Sequence, residues 1–249
     1  MKKVAYILYG QPRNHTNGCI KILNFLLKQH NIEVDFFYHC WIIDEYQKYP
    51  SSPWRNITDN ELSYQENIKE NLIENYNPVA YEYEKQIFAF DKSLYINSIA
   101  YENNNNIRTI NNINNTISVQ YSRNKAKNLF EDYITKTNTK YDFVIFSRFD
   151  PEKMPNLKLE DLDQTKVYIS NNLLPRMLFN PSLIILPPDI FIKWFNIYEE
   201  FKDFINSEYS DVSMKLLNEK LVINDEELLL AKYVYTFKSI DHLSREYYW

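Results

Sequence analysis

The chain has 249 residues, a formal net charge of −5 and 45% hydrophobic residues, which suits one large hydrophobic core. This acidic balance gives no overall attraction to nucleic acid or anionic lipid, so we expect no nucleic acid partner. The two cysteines exclude a disulfide framework and a cysteine-based metal site.

The amino-terminal part of the chain has the pattern of a β-α-β unit. Residues 3–9 and 33–40 predict strands, and residues 17–30 between them predict a helix. We expect four apolar side chains of that helix to form its buried face: Ile20, Leu23, Leu26 and Leu27. The unit predicts two parallel strands joined by a crossover helix.

The alternation of helix and strand continues through the next segments. A helix is predicted over residues 59–75, with a cap at Thr58 or Asp59, and residues 79–83 predict a third strand. Runs of asparagine dilute any period in residues 84–116, for which we expect a helix followed by a mobile loop.

The remaining elements extend the same order. Residues 117–136 predict a helix with apolar side chains at helical spacing, and this helix leads into an apolar strand that ends at Asp150. The last predicted elements are strands 166–170 and 182–187 and helices 189–206 and 225–235. Together they predict an α/β, Rossmann-like domain with a mostly parallel sheet covered by helices on both faces. No apolar stretch reaches the roughly 18 residues of a membrane helix.

Gly10 ends the first apolar run and is one of only two glycines in the chain. A retained glycine at this point predicts a sharp turn.

Arg148 and Asp150 stand at the end of the apolar strand that follows the helix predicted at 117–136. Strand alternation sends both side chains to one side. Together they suit a diphosphate, because Asp150 would hold Mg²⁺ or Mn²⁺ while Arg148 neutralises charge directly. The alternative is an Arg–Asp ion pair that caps a strand.

Four segments carry a resemblance to a known family: residues 9–13, 34–41, 119–126 and 148–150. In these segments and in their order, the chain resembles GT-A-fold glycosyltransferases of bacterial capsule and surface-polysaccharide loci and of giant viruses. The resemblance spans residues 4–235. It implies a GT-A fold and nucleotide-sugar-dependent glycosyl transfer.

The resemblance also implies where the donor binds. A nucleotide-diphospho-sugar would lie across the carboxyl edge of the sheet, with Asp150 as the last acid of a degenerate DxD metal motif. Residues 10–13 would form the loop under the nucleotide, where Gly10 permits close backbone approach, Gln11 would hydrogen-bond base or ribose and Arg13 would reach a phosphate. The alternative for this loop is an ordinary strand-to-helix turn with a solvated Arg13. Arg148 stands where the first Asp is expected, so an arginine could take over part of the work of a divalent metal. His39 and Trp41 would wall the base or sugar pocket, although His39 equally suits a hydrogen-bonded position at the core edge.

Further donor contacts are implied on the helix before the Arg148 strand. Gln120 and Arg123 lie near each other at helical spacing, whereas Lys125 faces elsewhere with Tyr121. We expect one of the two cations to meet the diphosphate and the other to be solvated. The alternative is a solvated basic helix face.

Acids near the carboxyl end provide candidates for a general base. Asp225, Glu226 and Glu227 open a predicted helix, where they would either activate an acceptor hydroxyl or stabilise the helix amino terminus. Asp189 suits a helix cap better than a base.

These observations predict one glycosyltransferase domain over residues 1–249, with a nucleotide-binding half (1–150) and an acceptor half (151–249). It would transfer a sugar to a glycan or lipid-linked acceptor, either in the cytoplasm or at the inner face of a membrane. Aromatic residues 247–249 suit a peripheral membrane contact or core packing. The alternative functions are a non-catalytic nucleotide-binding or scaffold protein and a nucleotidyl- or phosphotransferase, although the chain lacks a glycine-rich phosphate loop for the last of these.

Overall fold

The computed structural model describes residues 1–12, 14–42, 67–85, 107–151, 153–170, 180–200 and 243–244. Its elements in chain order are β1 (Lys2–Gly10), α1 (His15–Leu27), β2 (Ile32–Ile42), α2 (Ile68–Tyr76), β3 (Ala80–Lys85), α3 (Ile107–Thr137), β4 (Phe143–Arg148), a 3-10 turn (Leu159–Asp161), β5 (Val167–Ser170), β6 (Asn180–Leu186), α4 (Pro188–Trp194) and β7 (Leu243–Ser244).

The described strands form one sheet in the order β3-β2-β1-β4-β6-β5-β7. The first four strands in this order run parallel, while β6 is antiparallel to both β4 and β5. Because β5 and β6 come from the second half of the sequence, both halves contribute to one sheet. The predicted α/β class and the mostly parallel sheet are confirmed.

Helices cover both faces of the sheet. Cys19, Ile22 and Phe25 of α1 pack on the face that includes Tyr6 and Leu8. On the opposite face, α3 and α4 pack their apolar side chains against β1, β2 and β4; these side chains include Ala126, Phe130, Ile190, Phe191 and Trp194. β1 is therefore buried on both sides, which explains its continuous apolar run.

The buried face predicted for α1 is partly wrong. Ile20 is 53% exposed and Leu27 is 80% exposed, although Leu23 and Leu26 pack partly against the core. The buried residues of this helix are instead His15, Gly18, Cys19, Ile22 and Phe25. The helix rotates toward this face because Gly18, which has no Cβ, allows it to approach the backbone of Phe149.

Helix α3 begins well before its predicted start at residue 117. Residues 107–116 are helical where a loop was expected, and residues 84–85 complete strand β3 where a helix was expected to begin, so the prediction is wrong for both stretches. Asparagine is a poor helix former, but its propensity cost is only a fraction of a kcal/mol per residue. Continuity with the docked part of α3 outweighs that cost.

Several predictions fall on residues outside the described ranges. They concern most of the helix expected at 59–75, residues 201–206 of the helix expected at 189–206, the helix expected at 225–235 and the aromatic residues 247–249. Within the described part, the helix expected at 189–206 is shorter than predicted, because α4 ends at Trp194 and residues 195–200 form turns. No helix in the described part of the chain is long and apolar enough to cross a membrane.

Candidate functional site

The carboxyl ends of four parallel strands bring a row of polar side chains together. Tyr9 pairs with His39 on one side and with Arg148 on the other, and His39 pairs with Glu82. Paired residues of parallel strands share a face, so Glu82, His39, Tyr9 and Arg148 form what we call the polar row. It lies on the face that α3 covers.

Helix α3 covers the middle of the polar row with polar side chains. The contacts are Lys125 with Glu82, Ser122 with His39 and Arg123 with Tyr9. The middle of the row is buried, since His39 and Tyr9 are at most 1% exposed. The two ends, Glu82 and Arg148, reach solvent. A ligand at this edge therefore meets the ends of the row first.

Gly10 makes the turn expected at the end of β1. Its φ is +92°, a conformation that favours glycine, and a Cβ placed there would meet nothing within 4 Å. The Gly10 N–H donates to Ser122 Oγ at 2.8 Å. Gln11 follows at the partly exposed edge, and Arg13 lies outside the described residues.

Arg148 and Asp150 form a bidentate ion pair at the end of β4. Arg148 Nε and Nη2 donate to the two Asp150 oxygens at 2.8 and 2.7 Å. The Arg148 side chain is 46% exposed and that of Asp150 is 18% exposed. The shared orientation expected from strand alternation is confirmed. The pair has the geometry of the strand-capping alternative, and it also presents an oriented guanidinium at the edge.

Helix α1 supports the loop that carries Asp150. Gly18 packs directly on the Phe149 backbone, and Lys21 Nζ donates to the Pro151 carbonyl at 3.1 Å. The chain on both sides of Asp150 is thus held by one helix, which fixes the direction of the carboxylate toward Arg148.

His39 and Trp41 lie beneath the surface of the edge. His39 Nδ1 is 2.7 Å from Ser122 Oγ, and Nε2 is 3.5 Å from Glu84 Oε2. Burial lowers the His39 pKa to about 4, so the imidazole is neutral near pH 7. Trp41 is 2% exposed and stacks on Tyr121. Both rings therefore pack beneath the carboxyl edge of the sheet. His39 occupies the hydrogen-bonded core-edge position that was the alternative to a pocket wall.

The two α3 cations predicted to lie near the donor, Arg123 and Lys125, both contact other side chains. Arg123 is 1% exposed and lies over the Tyr9 ring, 4.7 Å from its centroid. Lys125 Nζ lies 2.7 Å from Glu84 and 3.1 Å from Glu82, and the hydrogen bond with Glu84 raises the Lys125 pKa. The expectation of a solvated cation, and the alternative of a solvated basic face, are therefore wrong. Gln120 is also fully buried.

The described residues do not fit a divalent metal. None of them form a group of three or more His, Cys, Asp or Glu side chains that could hold an ion. Both Asp150 oxygens already accept hydrogen bonds from Arg148. Asp225, Glu226 and Glu227 fall outside the described ranges, and the exposed Asp189 lies in the first turn of α4, where an acid stabilises the helix amino terminus.

Sequence reasoning missed three residues that organise this edge: Tyr9, Glu84 and Ser122. Ser122 stands inside a segment that carries the family resemblance, but a lone serine on a helix gives no signal of its own. Glu84 fell in the stretch that showed no period. A signal was present in the polar run at residues 120–125, which is unusual for a helix face that packs on a sheet.

Neither a family model nor a curated protein matches the chain. Among solved structures, the chain is similar to the galactosyltransferase LgtC in complex with donor and acceptor sugar analogues. Identity is 12% and the TM-score is 0.42, over 93% of this chain and 70% of that one. For an active-site mutant of LgtC, identity is 11% and the TM-score is 0.36 at the same coverage.

A third similar structure is the glycosyltransferase GlyE of Streptococcus pneumoniae TIGR4, with 13% identity and a TM-score of 0.35. The likeness covers 98% of this chain, which spans 44% of the GlyE chain. All three neighbours are glycosyltransferases. The α/β class of the present chain follows from its own strand order and register.

Proposed function

We propose that the protein is a glycosyltransferase that moves a sugar from a nucleotide-diphospho-sugar to a glycan or lipid-linked acceptor in surface-polysaccharide synthesis. The observation that carries the proposal is the oriented Arg148 guanidinium. It is half exposed at the carboxyl end of β4, beside the Gly10 turn of the neighbouring strand. Ligands of open α/β sheets bind at the carboxyl ends of the strands.

Arg148 would stabilise the leaving group. Transfer breaks the bond between the anomeric carbon and a phosphate oxygen, and negative charge develops on the departing nucleoside diphosphate. A planar guanidinium matches phosphate oxygens and is always charged. Because Asp150 holds the guanidinium plane through two hydrogen bonds, the cation is oriented before the charge develops, which is how preorganised electrostatic stabilisation works.

The other donor contacts belong to the same proposal. Gly10 lets the nucleotide approach the backbone, Gln11 hydrogen-bonds base or ribose, and Arg13 reaches a phosphate. On α3, Arg123 supports the edge through Tyr9, in line with Arg148 along the polar row. Gln120 and Lys125 of the same helix are the remaining donor-binding residues of this proposal.

The acceptor side is assigned to the second half of the chain. Asp225 or Glu226 would take the proton from the acceptor hydroxyl as it attacks the anomeric carbon. No step of this mechanism runs through a metal ion, because the described donor set does not fit one. Binding of Mn²⁺ or Mg²⁺ with the donor is an outcome that the experiment below can detect.

The test is a thermal-shift titration with UDP, GDP and CDP, each with Mn²⁺ and with EDTA, followed by turnover of the matching nucleotide-sugars. We expect one nucleoside diphosphate to stabilise the wild type and Arg148→Ala to lose that stabilisation. Lys140→Ala is the matched control, because it removes an exposed cation just before β4, at the opposite edge of the sheet. Equal binding by Arg148→Ala and wild type would overturn the proposal.

A second candidate is a nucleotide-binding protein of a polysaccharide locus that does not catalyse transfer. The engagement of both Asp150 oxygens by Arg148 favours it, since it gives Asp150 a structural partner. Such a protein would bind a nucleoside diphosphate and leave nucleotide-sugars intact. Prolonged incubation with each donor that releases no nucleoside diphosphate would select this candidate over the transferase.

A further inference from the structure

Ser122 is buried and its hydroxyl connects two parts of the carboxyl edge. It accepts the backbone N–H of Gly10 at 2.8 Å and lies 2.7 Å from Nδ1 of His39. Its side chain is fully buried, so no exchange with bulk water competes for these bonds. One helix hydroxyl thus contacts the end of β1 and the end of β2.

The direction of these hydrogen bonds follows from Glu84. The Glu84 carboxylate lies 3.5 Å from His39 Nε2 and 2.7 Å from the Lys125 ammonium. A carboxylate facing Nε2 favours the tautomer that carries its proton there, because the other tautomer would set a lone pair against a negative charge. His39 Nδ1 is then an acceptor, so the Ser122 hydroxyl donates to it. A lone pair on the Ser122 oxygen then accepts the Gly10 N–H.

We propose that Ser122 is a positioning residue for the donor nucleotide. It fixes the Gly10 turn through a chain of hydrogen bonds in which Gly10 N–H donates to Ser122 and Ser122 donates to His39 Nδ1. In this chain the His39 Nε2–H faces Glu84. The assignment rests on the proposed function, in which the Gly10 turn contacts the nucleotide. It adds a residue that touches neither donor nor acceptor and acts through the backbone.

Gly10 needs such support because glycine restricts its own backbone least. Gly10 has no side chain of its own to anchor the turn, and a Cβ built on it would meet nothing within 4 Å. The bond to Ser122 ties the turn to α3, whose apolar side chains Ala126 and Phe130 are fully buried against the sheet. A loop held in its binding conformation spares the ordering cost on ligand binding.

The first measurement uses the wild type alone. Long-range ¹H–¹⁵N correlation of the histidine side chains at pH 7 should show His39 protonated on Nε2 and bare on Nδ1. The signal that disappears in His39→Asn identifies His39 among the four histidines. A proton on Nδ1 would overturn the proposal.

The second measurement compares Ser122→Ala with Ser118→Ala, which removes a buried hydroxyl one turn earlier on α3. In Ser122→Ala we expect at least about tenfold faster hydrogen exchange of the Gly10 amide. We also expect about five- to tenfold weaker nucleoside diphosphate binding, with a raised donor KM and a smaller change in kcat. Ser118→Ala should leave Gly10 exchange and nucleotide affinity near wild-type values.

Two substitutions of His39 test the proposal if Ser122→Ala does not fold. His39→Asn places an amide oxygen near the position of Nδ1 and should keep the Gly10 amide protected, whereas His39→Leu should expose it. Unchanged Gly10 exchange in folded Ser122→Ala, or equal exchange in the two His39 variants, overturns this proposal alone. Absence of nucleotide binding by the wild type overturns the proposed function, and the donor role of Ser122 with it.

Discussion

Gly18 in α1 lies directly against the backbone of Phe149. A Cβ on Gly18 would come within 1.8 Å of the Phe149 carbonyl oxygen and 2.9 Å of its carbon. Real atoms cannot approach so closely, so the helix packs on this part of the chain only because residue 18 has no side chain. The contact fixes the chain one residue before Asp150.

Gly18→Ala should lower the free energy of unfolding by at least about 2 kcal/mol. The clash is with backbone, so the helix must shift, and this outweighs the gain of about 1 kcal/mol in helix propensity. Gly10→Ala is the matched comparison, since it meets open space and pays only for its positive φ, about 1 kcal/mol. Urea denaturation ranks the two. A larger loss for Gly10→Ala would contradict the packing described here.

Asp150→Ala should reduce turnover at least about a hundredfold while the free energy of unfolding changes by less than about 1 kcal/mol. The ion pair with Arg148 is partly exposed and stabilises the fold little, but its loss removes the orientation of the guanidinium. Asp132→Ala, which removes an exposed acid of α3, serves as control. Donor turnover and denaturation are measured on the same preparations, and full activity of Asp150→Ala would contradict the assignment.

Stability should fall on acidification because of His39. Burial lowers its folded pKa to about 4, below the unfolded value of about 6.5. The unfolded chain therefore takes up the proton first, and the contribution of His39, complete above pH 6.5, is lost as pH falls toward 4. The loss between pH 7.5 and pH 5 amounts to about 2 kcal/mol.

Denaturation of wild type and His39→Asn at both pH values isolates this contribution, because other groups titrate in both proteins. Glu84 does not titrate in this window. Burial opposes its ionisation, but hydrogen bonds with Lys125 and Tyr121 prevail and lower its pKa to about 2. The same pH dependence in both proteins would show that His39 does not remain neutral in the folded state.

Tyr9→Phe should cost about 2 kcal/mol of stability. Its hydroxyl accepts from Arg123 Nη2 at 2.8 Å, and hydrogen bonds to a buried charge are stronger than neutral ones. Tyr6→Phe is the control on the opposite face of β1. It removes a 3.1 Å bond to Ser147, whose hydroxyl keeps the Arg148 carbonyl as partner, so we expect a loss below about 1 kcal/mol. A larger loss for Tyr6→Phe than for Tyr9→Phe would show that the Arg123 guanidinium does not donate to the Tyr9 hydroxyl.

Strand β1 was predictable because a parallel strand covered on both faces is apolar throughout. Residues 4–9 of β1 are all buried, and such a run needs no knowledge of its partners. The face of α1 was not predictable from periodicity. Ile20 and Leu27 have the spacing of a buried stripe, and the actual face was decided by Gly18, whose effect depends on a loop more than a hundred residues away.

The candidate site also has one part that was predictable from the sequence and one part that was not. Arg148 and Asp150 are two residues apart, so local geometry alone predicts that they meet. Ser122 contacts Gly10 and His39 across separations of 112 and 83 residues. Nothing in the local pattern of α3 indicates either partner, because the pairing depends on the register of three strands under the helix.

The side of helix α3 that faces the sheet makes polar contacts in one half and apolar contacts in the other. Near the carboxyl edge it rests on the polar row through Ser122, Arg123 and Lys125, and toward its other end Phe130 packs among the apolar side chains of the core. Apolar burial therefore holds the far half of the helix, whereas buried and partly buried hydrogen bonds of defined direction hold the edge half. Substitutions in the far half of the helix therefore change mainly buried apolar area, whereas substitutions in the edge half change the partners of directed hydrogen bonds.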